Sequence, residues 1–274
     1  MHRVVLGIAG LIIACQPVLA EEKPLFEFGA VGGAGYVPNY PASDESSVEA
    51  IALPYLVYRG EIIRAGDRGL VRGRIIRRRN VELDISLSGS FSTDSDDNDA
   101  RQGMPDLDYL VEVGPRLQLT LARAQRWAKV ELELPVRAVF STDLSSVDHR
   151  GYVFAPELAY QHEDVLQTGT QLKLSLGAKF ADEELQDFFY EVDERFATST
   201  RPAFDADFGY LGSRLQLLAS RPFGKRFTAF AAAAVDLHQG AANEDSPLFR
   251  DDVTYSVGLG LIWSFYQSDR TVDE

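Results

Sequence analysis

The acidic segment at residues 94–99 has the residue types of a calcium-binding loop. Asp94, Asp96 and Asn98 fit the first, third and fifth ligand positions of such a loop. The sixth position is Asp99, where glycine is needed for the sharp turn, and the twelfth is Pro105, where a glutamate is needed. We therefore predict no dedicated metal site and an acidic, solvated loop instead. Its acidic residues are Asp94, Asp96, Asp97 and Asp99.

A second candidate is the pair Asp148 and His149, which follows Ser145 and Ser146. A base beside a hydroxyl group is the minimum requirement for nucleophilic catalysis. No nucleophile motif surrounds either serine, and these residue types often occur together by chance in one loop. We therefore predict that the protein is not an enzyme and that it uses no cofactor.

Charged residues that alternate with apolar ones form a third candidate. From Asp108 to Leu119 the polar and apolar residues follow the two-residue period of a β-strand. If Leu121 pairs with Ala128 across the next turn, Arg116 faces Glu133 and Glu112 faces Arg137 on the same side of the sheet. The charged residues predicted to form ion pairs on this face are Glu112, Arg116, Lys129, Glu131, Glu133 and Arg137. They form either a ladder that neutralises a lumen or a selectivity ring for a solute.

The same alternation recurs along most of the chain. Alternation does not decide which face is inside, since a soluble sandwich or a lipocalin-like barrel has its apolar face inward. The strands are long enough to cross a bilayer at a tilt, and aromatic residues lie at both ends of the apolar faces. The aromatic residues are Phe91, Tyr109, Phe140, Tyr152, Phe180 and Tyr255 at one rim, and Tyr160, Trp263 and Phe265 at the other. We predict an all-β fold, an antiparallel transmembrane β-barrel.

Loop lengths define the topology of this barrel. We predict twelve strands, at residues 25–36, 48–58, 61–65, 69–77, 81–91, 108–121, 128–140, 151–163, 168–181, 204–219, 228–238 and 254–266. Long acidic loops then lie on the extracellular side, at 37–47, 92–107, 141–150, 182–203 and 239–253, and short turns lie on the periplasmic side. Pro54, Pro115, Pro135 and Pro156 fall inside predicted strands, where we expect bulges.

The short turns are basic although the formal net charge of the chain is −14, which argues against nucleic acid as a partner. The predicted periplasmic basic rim consists of Arg78, Arg79, Arg123, Arg126, Arg221, Lys225 and Arg226. A barrel of this kind also contacts outer-membrane lipid and lipopolysaccharide.

The N-terminus predicts export. An apolar run from Val4 to Ile13 and small residues before Glu21 are typical of a secretory signal peptide, whereas Cys15 loosely fits lipoprotein processing. We predict a signal peptide at 1–20, an outer-membrane barrel at 21–266 and a short polar C-terminal tail at 267–274. The predicted location is the outer membrane of a Gram-negative bacterium.

Six short fragments, in order along the chain, carry a resemblance to a known family. They lie at 33–41, 54–60, 103–115, 134–139, 201–206 and 245–248, with Gly103-Met104-Pro105-Asp106-Leu107-Asp108 as the most specific. The chain resembles the MltA-interacting protein family, also called MipA/OmpV. The resemblance implies an outer-membrane barrel that acts as a scaffold for a lytic transglycosylase and a murein synthase. It also leaves open adhesion, antibiotic uptake and a small-solute channel.

The predicted loop at 182–203 is unusually aromatic for a surface loop. Packing against the barrel mouth would remove these aromatic side chains from water, and this is the arrangement that we expect. The functional alternative is an exposed patch that contacts a ligand or another cell.

Overall fold

The computed structural model describes residues 22–59, 64–65, 73–124 and 127–273. The predicted signal peptide and Arg126 therefore lie outside the described residues. The strands are β1 (Glu22–Pro24), β2 (Phe26–Pro38), β3 (Ser46–Arg59), β4 (Arg64–Ala65), β5 (Gly73–Arg78), β6 (Val81–Ser90), β7 (Tyr109–Ala124), β8 (Ala128–Thr142), β9 (Val147–Phe154), β10 (Glu157–Val165), β11 (Thr170–Ala181), β12 (Gly209–Phe223), β13 (Phe227–Leu237), β14 (Val253–Gln267) and β15 (Thr271–Asp273). An α-helix, α1, covers Glu183–Tyr190, and short 3₁₀ turns cover Ser95–Asp97 and Glu194–Phe196.

Antiparallel pairing joins these strands into one large sheet, in the order β4, β3, β2, β14, β13, β12, β11, β10, β8, β7, β6 and β5. β9 and β10 both pair with β8 and β11, so they are two segments of one strand. The two ends of the order, β4 and β5, contact each other, which closes the sheet into a barrel. With β9 and β10 taken together, the described strands of this sheet number twelve, as predicted.

The outer surface of the barrel is apolar. Along β14 the outward residues Tyr255, Val257, Leu259, Leu261 and Trp263 are exposed, whereas the residues between them are more buried. At one end, Trp263 packs against Phe227 and Phe265, with ring centroids 5.8 and 4.4 Å apart. An apolar band with aromatic girdles is the outer surface of an outer-membrane β-barrel. Among the described helices none is long and apolar enough to cross a membrane.

Glu22 and Asp273, the first and last described residues, lie at the end that carries the short turns, which is the periplasmic end of such barrels. There β1 pairs with β15, and the backbone N–H of Leu25 donates to the carbonyl of Arg270 at 2.7 Å. The C-terminal segment that follows β14 therefore folds back along the N-terminal segment that precedes β2.

The strand ends differ from the prediction at two long loops. β8 ends at Thr142 and β9 begins at Val147. The predicted loop at 141–150 is therefore a tight hairpin that extends the sheet above the membrane. β12 starts at Gly209 instead of residue 204, because the preceding residues belong to the extracellular loops. Of the four strand prolines, Pro54, Pro115 and Pro135 lie inside continuous strands, and Pro156 separates β9 from β10.

The predicted register of β7 and β8 is wrong. Ala124, not Leu121, lies opposite Ala128, because β7 continues to Ala124 and the pairing shifts between Thr120 and Ala122. Above this bulge Arg116 lies opposite Pro135, two residues from the predicted partner. A two-residue displacement keeps every side chain on the same face, so the charged residues remain inside the barrel.

Gly114 lets β7 and β8 approach closely. A Cβ atom at this position would overlap the carbonyl oxygen of Val136 and lie 2.7 Å from the Cα of Arg137. A Cβ at Gly32 would meet only the carbonyl oxygen of Ile51, at 3.7 Å.

We therefore expect Gly114→Ala to reduce the free energy of unfolding of the refolded barrel by about 1–3 kcal/mol, the usual cost of overpacking. Gly32→Ala is the matched control and should change it by less than about 1 kcal/mol. Urea titration monitored by tryptophan fluorescence measures both. Equal stability of the two variants would contradict this account of Gly114.

Candidate functional site

The interior of the barrel encloses a cavity of about 1780 Å³. Its lining extends from Tyr40 and Phe189 at the extracellular end to Lys225 and Arg226 at the periplasmic end. The candidate functional site has three parts: a charged wall inside this cavity, a cap of extracellular loops above it, and a basic rim below it.

Arg116 is the centre of the charged wall. Its guanidinium donates two parallel hydrogen bonds to Asp84, at 2.9 and 2.7 Å, and a third to Glu133 at 2.8 Å. The Asp84 side chain is fully buried, and it lies directly opposite Arg116 in the pairing of β6 with β7. Paired, charge-assisted hydrogen bonds of this kind compensate the cost of placing charges away from bulk water.

The network continues from strand to strand around this wall. Lys173 on β11 bridges Glu133 at 3.0 Å and Glu157 at 2.6 Å. Higher in the lumen, Arg137 donates to Glu112 at 2.7 Å, and Lys179 lies 3.8 Å from the same carboxylate.

At the lower end of the wall, Glu131 forms an ion pair with Lys129, with a nitrogen–oxygen distance of 2.7 Å. Gln118 and Gln161 donate to the same carboxylate at 2.8 and 2.9 Å. The structure thus brings all six predicted lumen residues into ion pairs. The prediction missed Asp84 and Glu157, although both lie on the polar faces of alternating strands, which is the signal that could have identified them.

Extracellular loops form a cap with its own hydrophobic core over the barrel mouth. Tyr190 and Leu248 are fully buried in this core, and Leu185, Phe189 and Val192 are nearly so. The loops that meet there include four of the fragments that carry the family resemblance, at 38–41, 103–108, 201–206 and 245–248. These fragments are short and scattered in the sequence because their residues meet only in the folded cap.

Arg101 joins two of these loops from a buried position. Its guanidinium donates to the carbonyls of Phe189 and Pro105, both at 3.2 Å, and to the Ser95 hydroxyl at 3.2 Å. Burial lowers the pKa of Arg101 to about 10, so the side chain remains protonated at neutral pH.

Two tyrosines and a histidine connect the remaining loops. The Tyr40 hydroxyl donates to the carbonyl of Leu248 at 2.8 Å, and the Tyr190 hydroxyl donates to the carbonyl of Pro41 at 3.0 Å. Burial raises the pKa of Tyr40 to about 12, which keeps this donor protonated. His238 accepts from the backbone N–H of Ala42 at 3.2 Å, and burial lowers its pKa.

The aromatic loop at 182–203 packs against the barrel mouth, as predicted. It forms α1, whose N-terminus is capped by Asp182, which accepts from the backbone N–H of Leu185 at 3.2 Å. Leu185, Phe189 and Tyr190 are buried in the cap, and Phe188 is partly buried against it. The loop therefore forms part of the cap at the barrel mouth, and Leu185, Phe188 and Phe189 line the cavity below it.

The other candidate sites are structural. Asp94 and Asp96 accept from the backbone N–H groups of Asp96 and Gly103, at 3.0 and 3.3 Å. Within the described ranges, no group of three or more His, Cys, Asp or Glu residues is arranged to hold a metal ion.

The hairpin with Ser145 and Ser146 does not form a serine–histidine pair. Both hydroxyls donate to Asp143, and the N–H groups of Ser146 and Ser145 hold the pKa of that carboxyl well below its usual range. The His149 ring instead contacts Glu184, with a nitrogen–oxygen distance of 3.2 Å.

The basic rim lies around the periplasmic end. Arg78 and Arg79 flank the β5–β6 turn, and Arg123 lies near the end of β7. Arg221, Lys225 and Arg226 lie at or near the β12–β13 turn. All six side chains are exposed, so the described part of the predicted rim places basic side chains in solvent at the end of the barrel with the short turns.

Comparisons with known proteins agree with the sequence fragments. A family model described as "MltA-interacting protein MipA" matches residues 30–265. A solved structure titled "Bacterial polysaccharide outer membrane secretin" is 9% identical, with a TM-score of 0.43, over 89% of this chain and 99% of that chain. A second solved structure, titled "NanC porin structure in rhombohedral crystal form", is 8% identical, with a TM-score of 0.41, over 85% of this chain and 98% of that chain. Comparison with curated proteins finds no match.

The charged wall predicts a large effect of removing Arg116. We expect Arg116→Met to reduce the free energy of unfolding by about 3–5 kcal/mol, because two buried carboxylates lose this partner. Arg250→Met is the matched control, since Arg250 pairs with Asp44 at the exposed surface and should cost at most about 1 kcal/mol. Urea unfolding of the refolded variants compares the two costs, and similar costs would contradict the proposed importance of burial.

The cap should be more stable in mild acid. Burial, followed by repulsion from Glu191, Glu183 and Asp205, raises the pKa of Asp187 from 3.8 to about 6. The folded cap therefore binds more protons than the unfolded loop between about pH 4 and 6, and its stability falls as the pH rises through this range.

We expect hydrogen exchange of α1 to be slower at pH 5 than at pH 8, after correction for intrinsic rates. In Asp187→Asn this difference should shrink, because the group that titrates is absent. Asp193→Asn, at a loop position outside α1, is the control and should retain the difference. An unchanged pH dependence in Asp187→Asn would contradict the assignment.

Proposed function

Since the chain belongs to the MltA-interacting protein MipA family, we propose that it is a scaffold of the outer membrane. In this proposal the barrel anchors the protein, and its periplasmic rim holds enzymes that synthesise and cleave peptidoglycan. The name of the family supports a lytic transglycosylase as one partner. A murein synthase is the second partner that we propose, and neither role requires catalysis by this chain.

The observation that carries the proposal is the exposed basic rim. Six described basic side chains surround one end of a chain whose formal net charge is −14. A concentrated positive surface on an acidic protein attracts acidic partners and increases their rate of association. An acidic face of an enzyme and the anionic groups of peptidoglycan both have the required charge.

The cap supports a role on the periplasmic side. Its hydrophobic core and its buried Arg101 and Tyr190 occupy the extracellular mouth of the barrel. A protein that acts through its rim does not need an open extracellular mouth. A small-solute channel is the second candidate, favoured by the cavity of about 1780 Å³ beneath the cap.

The rim predicts which substitutions disrupt partner binding. In the triple variant Arg221→Ser, Lys225→Ser and Arg226→Ser, we expect binding of a purified lytic transglycosylase to weaken at least tenfold. The physical reason is the loss of three positive charges from one turn, and the same binding should weaken as salt is raised. Surface plasmon resonance on the reconstituted barrel measures the affinity.

The matched control removes three basic residues from the extracellular side, through Arg150→Ser, Arg195→Ser and Arg250→Ser. This control changes the net charge by the same amount and should leave transglycosylase binding unchanged. An equal loss of binding affinity in both triple variants would show that only net charge matters and would contradict the role of the rim. Unchanged affinity in the rim variant would overturn the proposal. Steady conductance of the unaltered barrel together with intact binding in the rim variant would favour the channel.

A further inference from the structure

The lumen has an apolar wall opposite its charged wall. The register of β13, β14, β2 and β3 places Thr228, Ile262, Val31 and Leu53 at one level and Phe230, Gly260, Gly33 and Ile51 at the next. Seven of these eight residues line the cavity, and the Phe230 ring covers the eighth, Gly260. Ile51 and Leu53 remain 41% and 38% exposed to it, although the interior of such barrels is usually polar.

Glycines make this wall flat. A Cβ atom at Gly260 would overlap the ring of Phe230, and one at Gly33 would lie 3.6 Å from Cζ of the same ring. The Phe230 ring therefore lies along the wall, and the wall becomes a smooth strip. From Thr228 to Ala234 the strip covers about 20 Å of strand, at ~3.3 Å per residue.

Two basic residues lie at the periplasmic end of the strip. Lys225 and Arg226 line the same cavity at its periplasmic end, next to the start of β13. Three carboxylates, Asp269, Glu27 and Glu163, also line this end of the cavity, and Glu27 accepts from the hydroxyls of Tyr55 and Ser264, both at 3.3 Å. On the opposite wall, Arg116, Arg137 and Lys173 already pair with carboxylates inside the barrel.

We propose that the lumen binds a single-chain anionic amphiphile that enters from the periplasm. Its acyl chain lies along the strip formed by Ile51, Leu53, Phe230 and Ile262. Its head group pairs with Lys225 and Arg226. The strip supplies the apolar surface, and Lys225 and Arg226 supply the preference for a negative head. This inference does not depend on the proposed scaffold function.

Photolabelling distinguishes the lumen from the lipid-facing surface. The refolded barrel, held in an amphipathic polymer, is illuminated with dodecanoate that carries a diazirine on its chain, and the labelled residues are identified by peptide mass spectrometry. We expect label at Phe230 and Ile262, which line the lumen, and competition by unlabelled dodecanoate. Label confined to Leu261 and Trp263, which are exposed on the outer surface, would overturn the proposal.

Substitutions and competitors test the two recognition elements separately. Ile51→Asn with Leu53→Asn should reduce lumen labelling at least tenfold, whereas Gln216→Asn, in the lumen on β12, should not change it. Each methylene added to the competitor from eight to twelve carbons should improve competition by up to about fourfold. Unchanged labelling in the double variant, with heat-modifiable migration showing that it is folded, would overturn the proposal.

The head group is tested with competitors of equal chain length. Dodecyl maltoside, which is uncharged, should compete at least tenfold more weakly than dodecanoate, and Lys225→Gln with Arg226→Gln should remove this preference. A twelve-carbon lysophosphatidylglycerol distinguishes the sources of the ligand. If lysophosphatidylglycerol competes with the probe, the site accepts anionic amphiphiles in general. If dodecanoate competes and lysophosphatidylglycerol does not, the ligand is a free fatty acid. Equal competition by dodecanoate, dodecyl maltoside and lysophosphatidylglycerol would overturn the role of Lys225 and Arg226.

Discussion

The structure depends on one constraint, which is that backbone polar groups inside a bilayer must be satisfied by the protein itself. Antiparallel pairing of neighbouring strands satisfies this constraint around the sheet, and its two ends, β4 and β5, contact each other. Closure fixes which side chains face lipid and which face the lumen, because alternate residues lie on opposite faces. The outer surface is therefore apolar, and most of the charged strand residues lie inside.

The charges inside the barrel are stable because they are paired. Arg116 pairs with two carboxylates, and Lys173 pairs with two, so the wall forms a continuous network across five strands. The cap follows the same physical rule with uncharged partners, since Arg101 and Tyr190 donate to backbone carbonyls of neighbouring loops. Both arrangements hold parts of the chain together without disulfide bonds among the described residues.

Local pattern was sufficient to predict the fold, the strand number and the location of most long loops at one end of the barrel and of the short turns at the other. It could not predict the register of β7 and β8, because the bulge between Thr120 and Ala122 leaves the alternation on either side intact. The cap could not be assembled from the sequence either, since its core combines loops that are far apart in the chain. α1 did carry a local signal, because Asp182 followed by Glu183 and Glu184 is typical of a helix N-terminus.

The central claim is that the basic end of the barrel faces the periplasm and the capped end faces outward. Leu144 and Leu166 lie at opposite ends of the barrel, are 85% and 88% exposed, and both have positive φ, so they form a matched pair for cysteine substitution. A maleimide on a polymer too large for porins should label Leu144→Cys on intact cells and Leu166→Cys only after the outer membrane is permeabilised. Labelling of Leu166→Cys on intact cells would contradict the account.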